Sequence, residues 1–118
     1  MCKILVVDDN RDILTVVELL LRMHKYKVKT IYRWEEITQS ISVFLPDLIL
    51  LDVSLSGADG RDICKDLKNK TETKHIPIIL FTANHNLGHT VKECLANGLV
   101  TKPFNQATLL DIIKENLN

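Results

Sequence analysis

ILVVDDN, residues 4–10, runs four apolar side chains straight into two adjacent carboxylates, Asp8 and Asp9. LILLDVS, residues 48–54, repeats the arrangement, with Leu48 to Leu51 leading into Asp52. A short unbroken apolar run bounded by polar residues is the pattern of a strand covered on both faces, because successive side chains point to opposite sides of the sheet and each side must be buried. Both runs therefore read as interior strands of a parallel sheet that end in acid.

Working outward, apolar runs recur at 3–8, 27–32, 47–52, 76–82 and 98–101. The first, third and fourth are nearly continuous, whereas the second alternates, as an edge strand does. Amphipathic stretches lie between them. Ile13, Val17, Leu20 and Leu21 recur at helical spacing after Asn10, a good N-cap, and predict a helix over 11–24. Further helices are expected near 34–44, 60–69, 86–96 and 106–117; the last carries Leu109, Leu110, Ile113 and Leu117 on one side and has Asn105 placed to cap it. No linker, low-complexity tract or internal repeat interrupts the series. Five strand-then-helix units imply an α/β fold, a five-stranded parallel sheet with helices on both faces and right-handed crossovers. In such a sheet ligands bind outside the carboxyl ends of the strands. Asp8, Asp9 and Asp52 stand at those ends, Thr82 closes the fourth strand and Lys102 follows the fifth, so the apolar runs deliver polar groups to one rim.

The totals limit the alternatives. With 118 residues, 46% of them hydrophobic, the chain suits one domain over 1–118 with a real core and no need of a metal or disulfide staple. Fifteen basic and fifteen acidic residues give a formal charge of zero, so no overall field recruits nucleic acid or an anionic membrane. Its apolar runs fall far short of the roughly 20 residues of a membrane span, and Met1-Cys2-Lys3 leads into a strand instead of a signal-peptide core. The expected location is cytoplasmic, without membrane or direct nucleic-acid binding by this segment. Cys2, Cys64 and Cys94 are odd in number and widely spaced, which reads as reduced packing thiols.

Taken together, the acidic pair Asp8-Asp9, Asp52 inside LLDVSLSGADG, Thr82 in FTA and Lys102 in TKPF resemble the receiver domain of two-component response regulators, and the likeness covers the whole chain. Each residue alone has an ordinary explanation as a cap, strand exit or turn. Five such accidents on one rim are a poorer account than one site. The resemblance implies a flavodoxin-like fold with strand order 2-1-3-4-5, in which strands 1 and 3 are neighbours and the three carboxylates converge.

Carboxylates about 4 Å apart repel by roughly 4 kcal/mol at an effective dielectric near 20, so an acid cluster shares protons or holds a cation; an all-oxygen site of this kind suits Mg²⁺ with several waters retained. By the resemblance, Asp9 and Asp52 ligate Mg²⁺ directly, Asp8 acts mainly through water, and Ser54 contributes its backbone carbonyl. Asp52 is then also the phosphoacceptor, attacking a phosphoryl group carried by a sensor histidine kinase or histidine phosphotransfer protein. Lys102 and the Thr82 hydroxyl each meet a phosphoryl oxygen. The domain assists its own phosphorylation and dephosphorylation without being a separate enzyme, and Ser54 and Asn84 flank the site where the rate of hydrolysis is tuned. The resemblance also favours a cis Lys102-Pro103 bond, which only about 5–6% of X-Pro bonds adopt. Output is expected to run through the surface of the fourth helix, fifth strand and fifth helix, toward an effector or a second copy.

The chain departs from the family pattern at two places. Ser56 stands before Gly57 where a proline is usual, with a small effect expected on phosphorylation, and Leu99 stands where many relatives have an aromatic three residues before the lysine. Leu99 cannot copy the aromatic's hydrogen bonding, so switching must use a different reporter, with the loop of Asn84, His85, Asn86 and Gly88 a candidate for movement. His85, His89 and Glu93 have the spacing of metal ligands on one helix face, but a solvated face is the better reading. Trp34 reads as a packing anchor at the start of the second helix. Leu110 and Ile112 are surplus to a narrow core stripe and open to a partner or dimer face. Neither His24 nor His75 is placed for catalysis. Two other functions stand beside this reading: a phosphorylation-independent interaction domain that retains the fold, and a phosphohydrolase with an aspartyl nucleophile. The latter lacks its second acid, since Asp52-Val53-Ser54 has none at the third place. No output module lies within these residues, and whether they stand alone or belong to a longer regulator stays open.

Overall fold

The computed structural model describes residues 1–84 and 87–117. Strand β1 (Lys3–Val7) is followed by helix α1 (Arg11–Met23) and β2 (Lys27–Ile31). A single 3₁₀ turn, Trp34–Glu36, runs into α2 (Ile37–Phe44), and β3 (Leu48–Asp52) follows. Two-residue strands β4 (Ser54–Leu55) and β5 (Ala58–Asp59) then form a small hairpin ahead of α3 (Gly60–Lys68). The chain continues through β6 (Ile78–Thr82), α4 (Thr90–Glu93), β7 (Gly98–Thr101) and α5 (Gln106–Asn116).

The five long strands pair in parallel in the order β2-β1-β3-β6-β7. Counting only the strands of this sheet, that is the expected 2-1-3-4-5. Alternation splits the core in two. Leu5, Val7, Ile49, Leu51, Ile78 and Leu80 face Ile37, Ile41, Cys64, Leu67 and Cys94 from α2, α3 and the end of α4. Ile4, Val6, Leu48, Leu50, Ile79 and Phe81 face Leu14, Val17, Leu21, Leu109 and Ile113 from α1 and α5. Burying both faces is what the unbroken apolar runs require, and β2, with Lys27 and Lys29 exposed, is the edge.

The caps set the helix starts. Asn10 accepts from the amides of Asp12 and Ile13 at 3.0 and 3.2 Å, and Asn105 accepts from Ala107 and Thr108 at 2.8 and 3.2 Å. Both satisfy amides that the first turn leaves without a partner.

Three expectations change. The helix expected over 86–96 is the single turn Thr90–Glu93 among the described residues, because the chain must leave it early: Asn97 accepts from Ile78 N at 3.0 Å and donates its own amide to Ile78 O at 2.8 Å, and Leu95 turns into the left-handed region with φ 65°. The fourth sheet strand starts at Ile78, not 76, since Pro77 has no amide to add to the ladder. Trp34 is not a core anchor; it is 36% exposed, with its indole nitrogen turned toward Gly57. Leu110 and Ile112 are half-buried against the core, and Ile112 fills the space that Gly98 of β7 leaves open. All three cysteines are free thiols, Cys64 and Cys94 buried, and burial pushes the Cys64 thiol up to about 12, out of the reactive range. Among the described residues no helix is long and apolar enough to cross a membrane.

Candidate functional site

Register builds the site. Val7 pairs with Leu51 across β1 and β3, so the next residue on each strand, Asp8 and Asp52, emerges abreast at the carboxyl edge. Asp8 is fully buried and Asp52 is 4% exposed. Asp9 lies one residue further along, exposed on the loop into α1. Each of the three carboxylates offers an oxygen within 4.8 Å of the others.

Lys102 closes the group from the far side of the sheet. Its backbone amide donates to Thr82 O at 2.7 Å, the Lys102–Pro103 bond is cis, and its ammonium reaches back to Asp8 Oδ2 at 2.7 Å and Asp52 Oδ2 at 3.4 Å. The ammonium also lies 5.8 Å from the centre of the Phe81 ring, which stacks on Phe104. An apolar, aromatic wall of this kind keeps the lysine charge poorly solvated and directs it to the acids.

Thr82 is buried at the end of β6, one residue beyond Phe81, the partner of Asp52 in the β3–β6 ladder. Its hydroxyl accepts from the Asn84 amide at 3.0 Å. Ser54 begins the β4–β5 hairpin and donates its amide to Asp52 Oδ1 at 3.3 Å. The five residues of the sequence pattern therefore meet on one rim, with Ser54 beside them.

The charges do not balance. Two buried carboxylates face one ammonium, and Asp52 carries the strain: burial first, then the neighbouring Asp8, raise its carboxyl from 3.8 to about 6, against the opposing pull of Lys102 and the Ser54 amide. With Asp9 added, three carboxylates with oxygens within 4.8 Å of one another are opposed by one lysine ammonium. That donor set suits a divalent cation such as Mg²⁺.

Sequence reasoning missed one participant. Ser56 donates both its amide and its hydroxyl to Asp9 Oδ2, each at 3.0 Å. The hint in the sequence is that Ser56 stands before Gly57 where a proline is usual, which carried no expectation of a bond to Asp9. Of the alternative metal-ligand row, His85 lies outside the described residues and His89 and Glu93 are exposed; among the described residues the aspartates are the one group of three ligating side chains.

The comparisons with known proteins agree with this fold. The family model described as the response regulator receiver domain matches residues 4–114. Among solved structures, a putative response regulator from Chloroflexus aurantiacus J-10-fl is 33% identical with a TM-score of 0.92, covering 98% of this chain and 97% of its own. The chemotaxis response regulator CheY4 of Vibrio cholerae is 28% identical with a TM-score of 0.90, covering 99% of each. The receiver domain of a signal transduction histidine kinase from Syntrophus aciditrophicus is 28% identical with a TM-score of 0.89, covering 99% of this chain and 90% of its own. With its aspartates, threonine and lysine brought to one edge of a 2-1-3-4-5 parallel sheet, the chain belongs to the family of response regulator receiver domains.

Proposed function

We propose that this chain is a phosphoacceptor switch in which Asp52 receives a phosphoryl group from a phosphohistidine on a sensor histidine kinase or histidine phosphotransfer protein. The observation that carries the reading is the pair of abreast, buried carboxylates, Asp8 and Asp52, held by one lysine ammonium at 2.7 and 3.4 Å. A buried acid pair is unfavourable as plain structure and useful as a place where positive charge and a phosphoryl group are brought together.

Asp8, Asp9, Asp52 and the Ser54 carbonyl would hold Mg²⁺, which when bound supplies charge neutralisation for the phosphoryl oxygens. The chain's own groups do the rest. Ionised Asp52, its Oδ1 oriented by the Ser54 amide, attacks phosphorus. The phosphorus–nitrogen bond to the donor imidazole breaks, the ring nitrogen keeps the electron pair and takes up a proton, and an acyl phosphate remains on Asp52. Lys102 moves its donation from Asp8 toward a phosphoryl oxygen, and the Thr82 hydroxyl donates to another. Because Thr82 leads directly into the segment before α4, its movement reaches the α4–β7–α5 surface, where an effector or a second copy reads it. The domain takes part as a phosphorylated partner that aids its own transfer and hydrolysis in the cytoplasm.

The test is intact-mass measurement after incubation with acetyl phosphate. Wild type is expected to gain one phosphoryl group with Mg²⁺ and none in EDTA, while Asp52→Asn gains none. A wild-type mass that stays unchanged with Mg²⁺ present would end this reading.

A further inference from the structure

Asp9 is the odd member of the acid cluster. Asp8 and Asp52 are buried and tied to Lys102, whereas Asp9 is exposed on a loop, where an aspartate side chain ordinarily samples several rotamers. Two bonds fix it here. The Ser56 amide and the Ser56 hydroxyl both donate to Oδ2 at 3.0 Å, across 47 residues of sequence. Among the described residues nothing else donates to the Asp9 carboxylate, so its Oδ1 is left to face other chemistry.

The hairpin explains why Ser56 is available. Leu55 pairs with Ala58, making Ser56 and Gly57 the two central residues of the turn, and Gly57 has φ 83°. A turn with its left-handed residue in the third position favours proline in the second. Proline would satisfy the turn but has no amide hydrogen and no hydroxyl. Serine keeps both donors at the one place from which they reach Asp9.

We propose that Ser56 is a positioning residue for the metal-ligating carboxylate of Asp9: it holds Oδ2 so that Oδ1 is turned to the cation shared with Asp8 and Asp52. The proposal rests on the Mg²⁺ site of the preceding subsection and adds a residue to it. A hydrogen-bonded second oxygen behind a ligating one is how ligand carboxylates are oriented generally, and losing such a partner costs about 10–100-fold in metal affinity in well-buried sites. At this exposed position the lower end applies.

Calorimetric titration of Mg²⁺ into the whole chain reads the effect. Ser56→Ala, which removes one of the two donors, is expected to bind more weakly than wild type, and Ser56→Pro, which removes both, about tenfold more weakly. Ser56→Thr restores both donors and stays near wild type. Thermal unfolding in EDTA separates positioning from folding, because Ser56→Pro suits the turn and is expected to unfold no lower than wild type while binding Mg²⁺ less well. A readout without metal comes from amide hydrogen exchange in EDTA: the Ser56 amide is expected to be protected in wild type and to lose that protection in Asp9→Ala. Wild-type binding of Mg²⁺ with equal or tighter binding by Ser56→Ala and Ser56→Pro would overturn this inference and leave the phosphoacceptor reading standing, as would an unprotected Ser56 amide. Absence of Mg²⁺ uptake by wild type would overturn both.

Discussion

Asp52 sits at the end of an apolar strand with Asp8 beside it, and these neighbours raise its carboxyl from 3.8 to about 6. An acid whose folded value lies above its unfolded one holds its proton more tightly when folded. Its contribution to stability is therefore complete below about pH 4 and is lost as pH rises through about 6, so that at pH 7 ionised Asp52 opposes folding. In EDTA, Asp52→Asn and wild type are expected to unfold at similar temperatures near pH 4. At pH 7 the variant should be the more stable by about 1 kcal/mol, roughly 4 °C in thermal unfolding. Mg²⁺ should reverse that order: at about 100 times its Kd it adds roughly 2.7 kcal/mol to whichever form binds it. A difference that does not change with pH would show that the acids repel too little to matter. At this scale Asp8, Asp9, Asp52, Thr82 and Lys102 were legible because each is the last residue of an apolar run or lies just beyond one. Ser56 was not, since its two bonds to Asp9 depend on a turn whose backbone must first be known.

Strands could be read to within a residue or two, because covering both faces leaves each one an unbroken apolar signature. The helix before β7 could not. Val91 and Leu95 stand four apart as helical neighbours do, yet Asn97 is committed in both directions to Ile78 on β6, and this long-range tie ends the helix at Glu93 whatever the local pattern favours. The same element keeps an unused polar atom: Thr90 is 2% exposed, and its hydroxyl has no hydrogen-bond partner among the described residues. An unsatisfied buried hydroxyl costs about 1–3 kcal/mol, so Thr90→Val is expected to raise the denaturant midpoint by an amount worth about 1 kcal/mol, and a lowered midpoint would mean that the hydroxyl is satisfied in solution. Where α3 meets β3, the requirement is reversed. Gly60 is the one residue that lets the helix start against the strand, because any Cβ there would overlap the Asp52 carbonyl. Gly60→Ala is expected to destabilise by about 3 kcal/mol and to lower acetyl phosphate labelling as well, since the strain falls on the peptide of Asp52, the proposed phosphoacceptor. Urea unfolding and intact mass check the two effects separately.

Across the whole molecule, a formally neutral chain concentrates its electrostatics at one edge of the sheet. Two-sided burial locks β1, β3 and β6 into place, and their carboxyl ends present Asp8, Asp52 and Thr82 together. Lys102 and Thr82 connect that rim to β7 and the segment before α4, where Leu99 lies half-buried against the core instead of an aromatic. A signal carried this way should show in beryllofluoride titrations as amide shifts concentrated at Thr82, Ala83 and 90–102, with α1 and β2 nearly still; shifts spread evenly would argue against a directed switch. The topology was legible because strand-then-helix alternation and the family resemblance agree. The route of the proposed signal was not, because a static pattern of residues holds only one state of the switch proposed for it. The most direct measurement is a calorimetric Mg²⁺ titration of wild type, Asp9→Asn and Asp52→Asn. The account expects one Mg²⁺ per wild-type chain and at least tenfold weaker binding in each variant; no uptake by wild type, or uptake indifferent to both substitutions, would contradict it.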